Sequence, residues 1–438
     1  MRIAAVADLV ISNGWMVDPA NGIDGPMEVA ISGGRIGAVG PDLAALPRAR
    51  TVDVDGALVC PGLVDLHVHV YEWVTNFGVN ADDAGVNAGC TTIVDQGSAG
   101  AWTFGGFNAH VVETARTDVR SFVSINVAGA LKGGMRGDML HNPGMVDIDD
   151  LVRLAAAHPR LIRGFKCHGE SGSLSRWGTE VLAAAVCAGN EADLPLYCHT
   201  GELFPVVESR RPLAGQVLAQ VVPLLRAGDT LAHVYSSMPD GVMGQRDAVP
   251  GIVRRAIDKG VHFDIGYGIN FSYAIARRMM AAGVFPNTIS SDIHGDFAGY
   301  HDDSKLDYSL CGAMTRMRAL GMPLAEVIRR VTVNPAAILR DPEIGSLAVG
   351  TVADITVLDR VTGAWTLRDG RGEPLQVTER LIPRLVVRAG EAIVPTLRYL
   401  PDVMPAARAA RVTPCALQHR RSPAIQIDAC AGHVTGRV

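Results

Sequence analysis

Six ionisable residues in this chain have the types and placing of an active site, and two of them, His67 and His69, the spacing of a metal site. His67 and His69 stand two apart in Leu63-Val-Asp-Leu-His-Val-His-Val, a short and nearly continuous apolar run opened by Pro61-Gly62. Such a run reads as a buried parallel strand. Residues two apart on a strand point to the same face, so both imidazoles can reach one ion. Four more ionisable residues follow at the ends of other apolar runs: Lys166 in Leu161-Ile-Arg-Gly-Phe-Lys, His199 in Leu194-Pro-Leu-Tyr-Cys-His, His233 in Thr230-Leu-Ala-His, and Asp292 in Thr288-Ile-Ser-Ser-Asp-Ile-His-Gly. Any one of them could be a cap or a satisfied polar residue. Six at corresponding strand ends are hard to explain as stability features.

The elements that must position them follow a rhythm. Between 61 and about 340 the candidate strands end near Val70, Asp95, Val127, Lys166, His199, Val234, Gly266 and Asp292. Helix-like patterns lie between them at 111–117, 148–157, 180–188, 215–227, 250–259 and 274–282. Eight strands separated mostly by helices predict an α/β chain with a (β/α)8 TIM-like barrel, whose carboxyl-terminal strand ends form the site. A doubly wound sheet is the alternative. Residues 7–60 read as short alternating strands with Gly-rich turns, among them an Asn13-Gly14 hairpin signal. Strands return at 345–400, most clearly in Gly345-Ser-Leu-Ala-Val-Gly-Thr-Val-Ala-Asp-Ile-Thr-Val-Leu-Asp. The expected organisation is therefore a small β-sandwich domain built from both chain ends (1–60 and 345–400), a barrel at 61–344, and a tail at 401–438. In the tail, Cys415, His419, Cys430 and His433 are too widely spaced for a finger-type zinc site.

Composition sets outer limits. Of 438 residues, 48% are hydrophobic and 19% charged, the balance of a globular enzyme rather than a disordered or fibrous chain. A net charge of −5 and a pI near 6.2 give no nucleic-acid footprint. No stretch has the length and apolarity of a membrane span, and Asp8 interrupts the N-terminal apolar run before it becomes a signal segment. The eight cysteines are scattered without a disulfide framework, so reduced thiols in the cytoplasm are expected. The expected partner is a small-molecule substrate, and a homo-oligomer is the default for such an enzyme.

The order HxH, Lys, His, His, Asp resembles the binuclear-metal branch of the amidohydrolase superfamily. Gly-Leu-Val-Asp-Leu-His-Val-His resembles that family's first-strand signature. Val333-Asn-Pro-Ala and Gly350-Thr-Val-Ala-Asp-Ile resemble its exit from the barrel and return to the β unit. Phe263-Asp-Ile-Gly-Tyr-Gly and Ser290-Ser-Asp-Ile-His-Gly look most like the amidohydrolase/deacetylase subgroup related to dihydroorotases. The resemblance implies two divalent ions, Zn²⁺ first and Mn²⁺ or Fe²⁺ as alternatives. His67, His69 and Asp292 would hold the more buried ion, and His199 and His233 the more exposed one. Two cations close together need a bridging anion. The resemblance implies that Lys166, uncharged by burial, supplies it as a carbamate. It further implies a metal-bridging hydroxide as nucleophile, with Asp292 as proton carrier.

Departures from the family pattern bear on the substrate. Dihydroorotases usually carry an Arg shortly after HxH, whereas this chain has Val70, Tyr71, Glu72 and Trp73. Hydantoinases usually carry a Tyr a few residues past the bridging Lys, whereas Cys167-His-Gly-Glu-Ser-Gly has none. The leading expectation is a deacetylase-like hydrolase of an acyl amide or ester, such as an acetylated small hydroxy or amino acid. The alternatives are a cyclic amidase of dihydroorotase or hydantoinase type and a non-catalytic assembly protein of the same fold. Tyr267 and His294 are candidate substrate contacts, with His168 and Arg176 as further candidates near the same loops.

Overall fold

The apolar run that carries the two histidines is shared between two sheets. Leu58–Pro61 hydrogen-bonds into a mixed sheet, and after Gly62 the strand Leu63–Val68 opens a parallel one. Both segments are wholly buried, which is why the sequence there is apolar on every side. The computed structural model describes residues 7–43, 50–131, 140–213, 216–244, 246–268, 270–295 and 305–396. The tail with Cys415, His419, Cys430 and His433 lies outside the described residues.

In chain order, β1 (Leu9–Asp18), β2 (Ile23–Ser32), β3 (Arg35–Gly40), β4 (Thr51–Asp53) and β5 (Leu58–Pro61) come first. The parallel strands follow: β6 (Leu63–Val68), β7 (Cys90–Gln96), β8 (Asp118–Ser124), β9 (Ile162–His168), β10 (Leu196–His199), β11 (Thr230–Leu231) and β12 (His262–Phe263). Last are β13 (Ile355–Arg368), β14 (Pro374–Arg388) and β15 (Glu391–Ile393). Strands from both ends of the chain join one eight-stranded mixed sheet, in the order β15-β14-β13-β5-β1-β2-β3 with β4 on β1. It has its own apolar core, including Ile11, Met16, Val29, Ile31, Val59, Ile355 and Val387.

The Asn13-Gly14 signal does not make a hairpin. β1 runs straight through it with a bulge between Ile11 and Gly14, and Asn13 takes the left-handed conformation at φ 56°. A Cβ on residue 14 would stand 2.4 Å from Val59 Cγ2, so the glycine answers to the neighbouring strand rather than to a turn. The reversal comes after Asp18, where Asn21 N–H donates to Asp18 O at 3.2 Å.

The parallel sheet runs β6 to β12 in sequence order. The eighth expected strand is an extended segment around 288–293 that bridges both edges, Asp264 to Thr288 and Val68 to Ile293, each in parallel sense. Asp292 N–H donates to His67 O at 2.7 Å and Tyr267 N–H to Ser290 O at 2.9 Å, so the curled sheet meets itself there. Helices alternate with the strands. Ile148–Ala157 matches its expected span, capped by Asp147, whose side chain accepts from Asp150 N. The expected helix at 111–117 is instead a π-turn, Asn108–Val112, following a short helix. The stretch from 215 condenses to Gln216–Val221, because Pro223 ends it early.

Inside the ring, Val64, Leu66, Val94, Phe122, Tyr197 and Ala232 pack with Ala336, Ile338 and Leu339, which plug one end. Phe122 is fully buried with its ring 6.1 Å from that of Tyr197. Phe122→Ala should cost about 3–5 kcal/mol of stability, read as a lower urea midpoint. A midpoint equal to that of the wild type would contradict this interior packing.

Candidate metal centre

Each of the six sequence-selected residues sits at or just beyond the carboxyl-terminal end of a parallel strand. His67 is the penultimate residue of β6 and His69 follows its end. Lys166 lies near the end of β9, His199 ends β10, His233 follows β11, and Asp292 lies on the bridging segment. Together with His168 and His294 they line one cavity of about 140 Å³, whose walls also include Phe77, Leu140, Leu203, Gln96 and Asn270.

Three donor atoms converge closely. His67 Nε2 lies 3.3 Å from His69 Nε2 and 3.1 Å from Asp292 Oδ1, and His69 Nε2 lies 3.6 Å from the same oxygen. A divalent ion with bonds of about 2.0–2.2 Å in tetrahedral geometry separates its ligand atoms by roughly 3.3–3.6 Å. The triangle therefore has the dimensions of one face of such a site. Lys166 Nζ stands 3.5 Å from His67 Nε2.

Outer contacts decide which nitrogen each ring presents. Tyr197 O–H donates to Asp264 Oδ2 at 2.5 Å, which spends its only proton. The phenol oxygen must then accept from His67 Nδ1, 3.0 Å away, leaving His67 Nε2 with its lone pair turned to the cavity. His233 Nδ1 lies 3.0 Å from Gly266 O and His199 Nε2 3.2 Å from Gly201 O. Carbonyls only accept, so His233 offers Nε2 and His199 offers Nδ1. Ser98 Oγ holds His69 Nδ1 at 3.1 Å. His199 and His233 are neighbours, with ring centroids 4.5 Å apart.

Burial favours the neutral form of these imidazoles. It pulls His69 down to about 4 and His67 and His199 well below the usual histidine range, with Lys166 and neighbouring imidazoles adding to the shift of the latter two. Neutral imidazole is the form that binds metal. Burial also brings Lys166 down to about 8, against the pull of Asp292. Burial raises Asp292, while His233, His294 and Lys166 oppose the rise. The donor set thus fits divalent metal: four neutral imidazoles, a carboxylate, and an amine that is easily deprotonated.

Two of the ten described non-glycine residues with positive φ belong to this site. His233 and Asp292 have φ of 59° and 53°, conformations that cost of order 1–3 kcal/mol in a non-glycine residue. Gly266 and Gly268 make room for them: a Cβ at 266 would stand 2.7 Å from His233 Nδ1, and one at 268 would stand 2.4 Å from Asp292 Oδ2.

The other candidates divide. His294 and His168 line the cavity. Tyr267 does not; it is buried against Phe271, with the Arg316 guanidinium 4.8 Å from its ring centre. Arg176 is also absent from the walls, donating to Pro205 O on an exposed surface. The sequence reading missed Tyr197, Asp264 and Ser98, and it missed the apolar walls. Asp264 lies within the quoted Phe-Asp-Ile-Gly-Tyr-Gly, and Tyr197 stands two before His199; that parity was the available signal.

Comparison with known proteins finds similar sequences and folds. The Amidohydrolase family profile matches residues 270–393. A deacetylase of Agrobacterium fabrum is 29% identical over 376 residues, covering 85% of this chain and 88% of that protein. Among solved structures, a dihydroorotase superposes with a TM-score of 0.78 at 26% identity, covering 91% of this chain and all of the other. An adenine deaminase does so with a TM-score of 0.78 at 25% identity, covering 89% of this chain and all of that one.

Tyr197→Phe should leave the fold intact but free His67 Nδ1 from its acceptor. Metal affinity, measured by chelator competition, should fall about 10- to 100-fold. Unchanged affinity would show that Tyr197 does not orient the ligand.

Proposed function

We propose that this chain, which belongs to the amidohydrolase superfamily in the group shared by deacetylases and dihydroorotases, is a metal-dependent deacylase. Its substrate would be a small acylated hydroxy or amino acid. The convergence of His67 Nε2, His69 Nε2 and Asp292 Oδ1 within 3.1–3.6 Å carries this reading. In it, His67, His69 and Asp292 hold one divalent ion and His199 and His233 a second, Zn²⁺ by donor type. Ions bound there supply Lewis acidity, acidifying water and polarising a carbonyl. Lys166, brought to about 8 by burial, would have roughly a tenth of its amine free at pH 7, far more than an ordinary lysine. That amine can add to carbon dioxide, forming an N–C bond and releasing a proton, to give a carbamate whose oxygens would be further ligands for divalent metal. Asp292 takes the proton from the attacking water and passes it to the departing nitrogen or oxygen.

The mixed sheet, with its own core, is read as the small β-sandwich domain (1–60 and 345–400) beside a (β/α)8 barrel at 61–344. No helix among the described residues is long and apolar enough to cross a membrane. The six described cysteines are all unpaired, in keeping with a cytoplasmic enzyme. The dihydroorotase likeness keeps a cyclic amidase as the second reading. Ring opening of dihydroorotate, set against deacetylation of N- and O-acetyl acids, separates the two.

Purified protein should carry transition metal, up to about two ions per chain, and His67→Ala/His69→Ala should deplete it. Full metal retention in the double variant would remove the proposed site. Lys166→Ala should lose both metal and most activity, with partial recovery of both when a short carboxylic acid is added with the metal; intact activity without the acid would refute the carbamate. Asp292→Asn, matched for metal content, should lower kcat by about 10²-fold. Wild-type kcat in that sample would move the proton to another group, with His294 next in line.

A further inference from the structure

Behind the metal cavity lies a carboxylate that the chemistry does not use. Glu170 is fully buried, and no lysine or arginine is paired with it among the described residues. It caps the helix Ser171–Trp177, accepting from Gly172 N at 2.8 Å and Ser173 N at 2.6 Å. The same carboxylate receives Leu203 N–H, 3.5 Å away in the loop after β10. On its other side stands His141 from the loop after β8, with Nε2 3.4 Å from Glu170 Oε1. That histidine is itself 2% exposed, and neither of its ring nitrogens has an aligned hydrogen-bond partner. Its ring packs edge-on against Phe204 at 4.3 Å and His168 at 5.6 Å. Next door, Ser171 O–H donates to Asp240 Oδ2 at 2.7 Å, which adds the loop after β11.

One buried carboxylate therefore hydrogen-bonds within the loop after β9 and to the loop after β10, and abuts His141 of the loop after β8. The chain neighbours of the tied residues form a wall of the cavity: Leu140 precedes His141, Leu203 precedes Phe204, and His168 lies two residues before Glu170. Burial raises this carboxyl group to about 7 against the backbone N–H donors, and a polar group this deep is costly unless its acceptors are filled. Loops that fill them are held to one geometry, and side chains beside the anchors inherit that geometry.

We propose that Glu170 is a positioning residue that sets Leu140 and Leu203 as an apolar wall, against which the non-reacting, apolar part of the substrate packs. This deepens the deacylase reading and rests on it: the acylated compound carries an aromatic or branched aliphatic group on the side facing the loops after β8 and β10. The wall acts on selectivity and not on the metal.

Hydroxamates bind metal through a common headgroup, so two of them that differ in bulk read the wall without turnover. Metal-loaded wild type should bind benzohydroxamate more tightly than acetohydroxamate. Glu170→Gln should keep its metal and reduce that preference about 10-fold, the scale of a lost apolar contact in a pocket. Leu203→Ala, with Glu170 intact, should do the same. His141→Leu removes the polar contact with Glu170 while keeping an apolar side chain beside Phe204, and provides the same ratio if Glu170→Gln does not fold. An unchanged ratio in these variants would overturn the proposal, as would a wild type with no preference for the larger probe. Loss of metal together with both affinities in Glu170→Gln would overturn it too, by assigning Glu170 to the metal centre. A wild type that shows the preference yet cleaves no acylated compound would count against the deacylase reading alone.

Discussion

Three lone pairs aimed at one point constrain the rest of this structure. His67 Nε2, His69 Nε2 and Asp292 Oδ1 lie within 3.1–3.6 Å of one another in a buried cavity. Like-signed partial charges at that distance repel, and burial strengthens the repulsion. Holding them there requires that each ring be unable to rotate away. The Tyr197–Asp264 pair does this for His67. Carbonyls of Gly266 and Gly201 do it for His233 and His199. Asp264 is itself held by Thr288 and Ser290 and by Gly266 N–H, so the second layer rests on the third.

That layering explains the shape of the barrel wall near its closure. The bridging segment around 288–293 supplies Asp292, which faces the metal site, and Thr288 and Ser290, which grip Asp264. One piece of chain thus bridges both edges of the parallel sheet, brings Asp292 to the donor cluster and, through Asp264, holds the tautomer of His67. The left-handed residues His233 and Asp292 sit where these demands meet. Their strain is offset by the packed interior below, in which Phe122 and Tyr197 share a cluster with Val64 and Leu66.

The catalytic face has a division of labour. The side of β6, β11 and the bridging segment holds most of the candidate ligands, His67, His69, His233 and Asp292. The loops after β8 and β10 supply apolar walls, organised around Glu170. The candidate metal donors and the apolar wall therefore rest on different hydrogen-bond networks. A change at Glu170 or His141 can alter what fits without disturbing the convergence of His67, His69 and Asp292.

The sequence by itself determined which residues meet. His67 and His69 share a face because strands repeat every two residues, and Lys166, His199 and His233 lie at or beside the ends of apolar runs that become parallel strands. Local chemistry of that kind survives any detail of packing. The Asn13-Gly14 signal failed because its neighbour in space, Val59, lies 45 positions away in the chain. Tyr267 looked like a substrate contact from its place beside the seventh strand, yet the side chain turned to Arg316 and Phe271. Tyr197, Asp264 and Glu170 look like ordinary strand and loop residues when read along the chain. Their roles depend on direction and distance across the ring, between groups tens to more than a hundred residues apart. Such contacts have no period in the sequence, and only the closed sheet decides them.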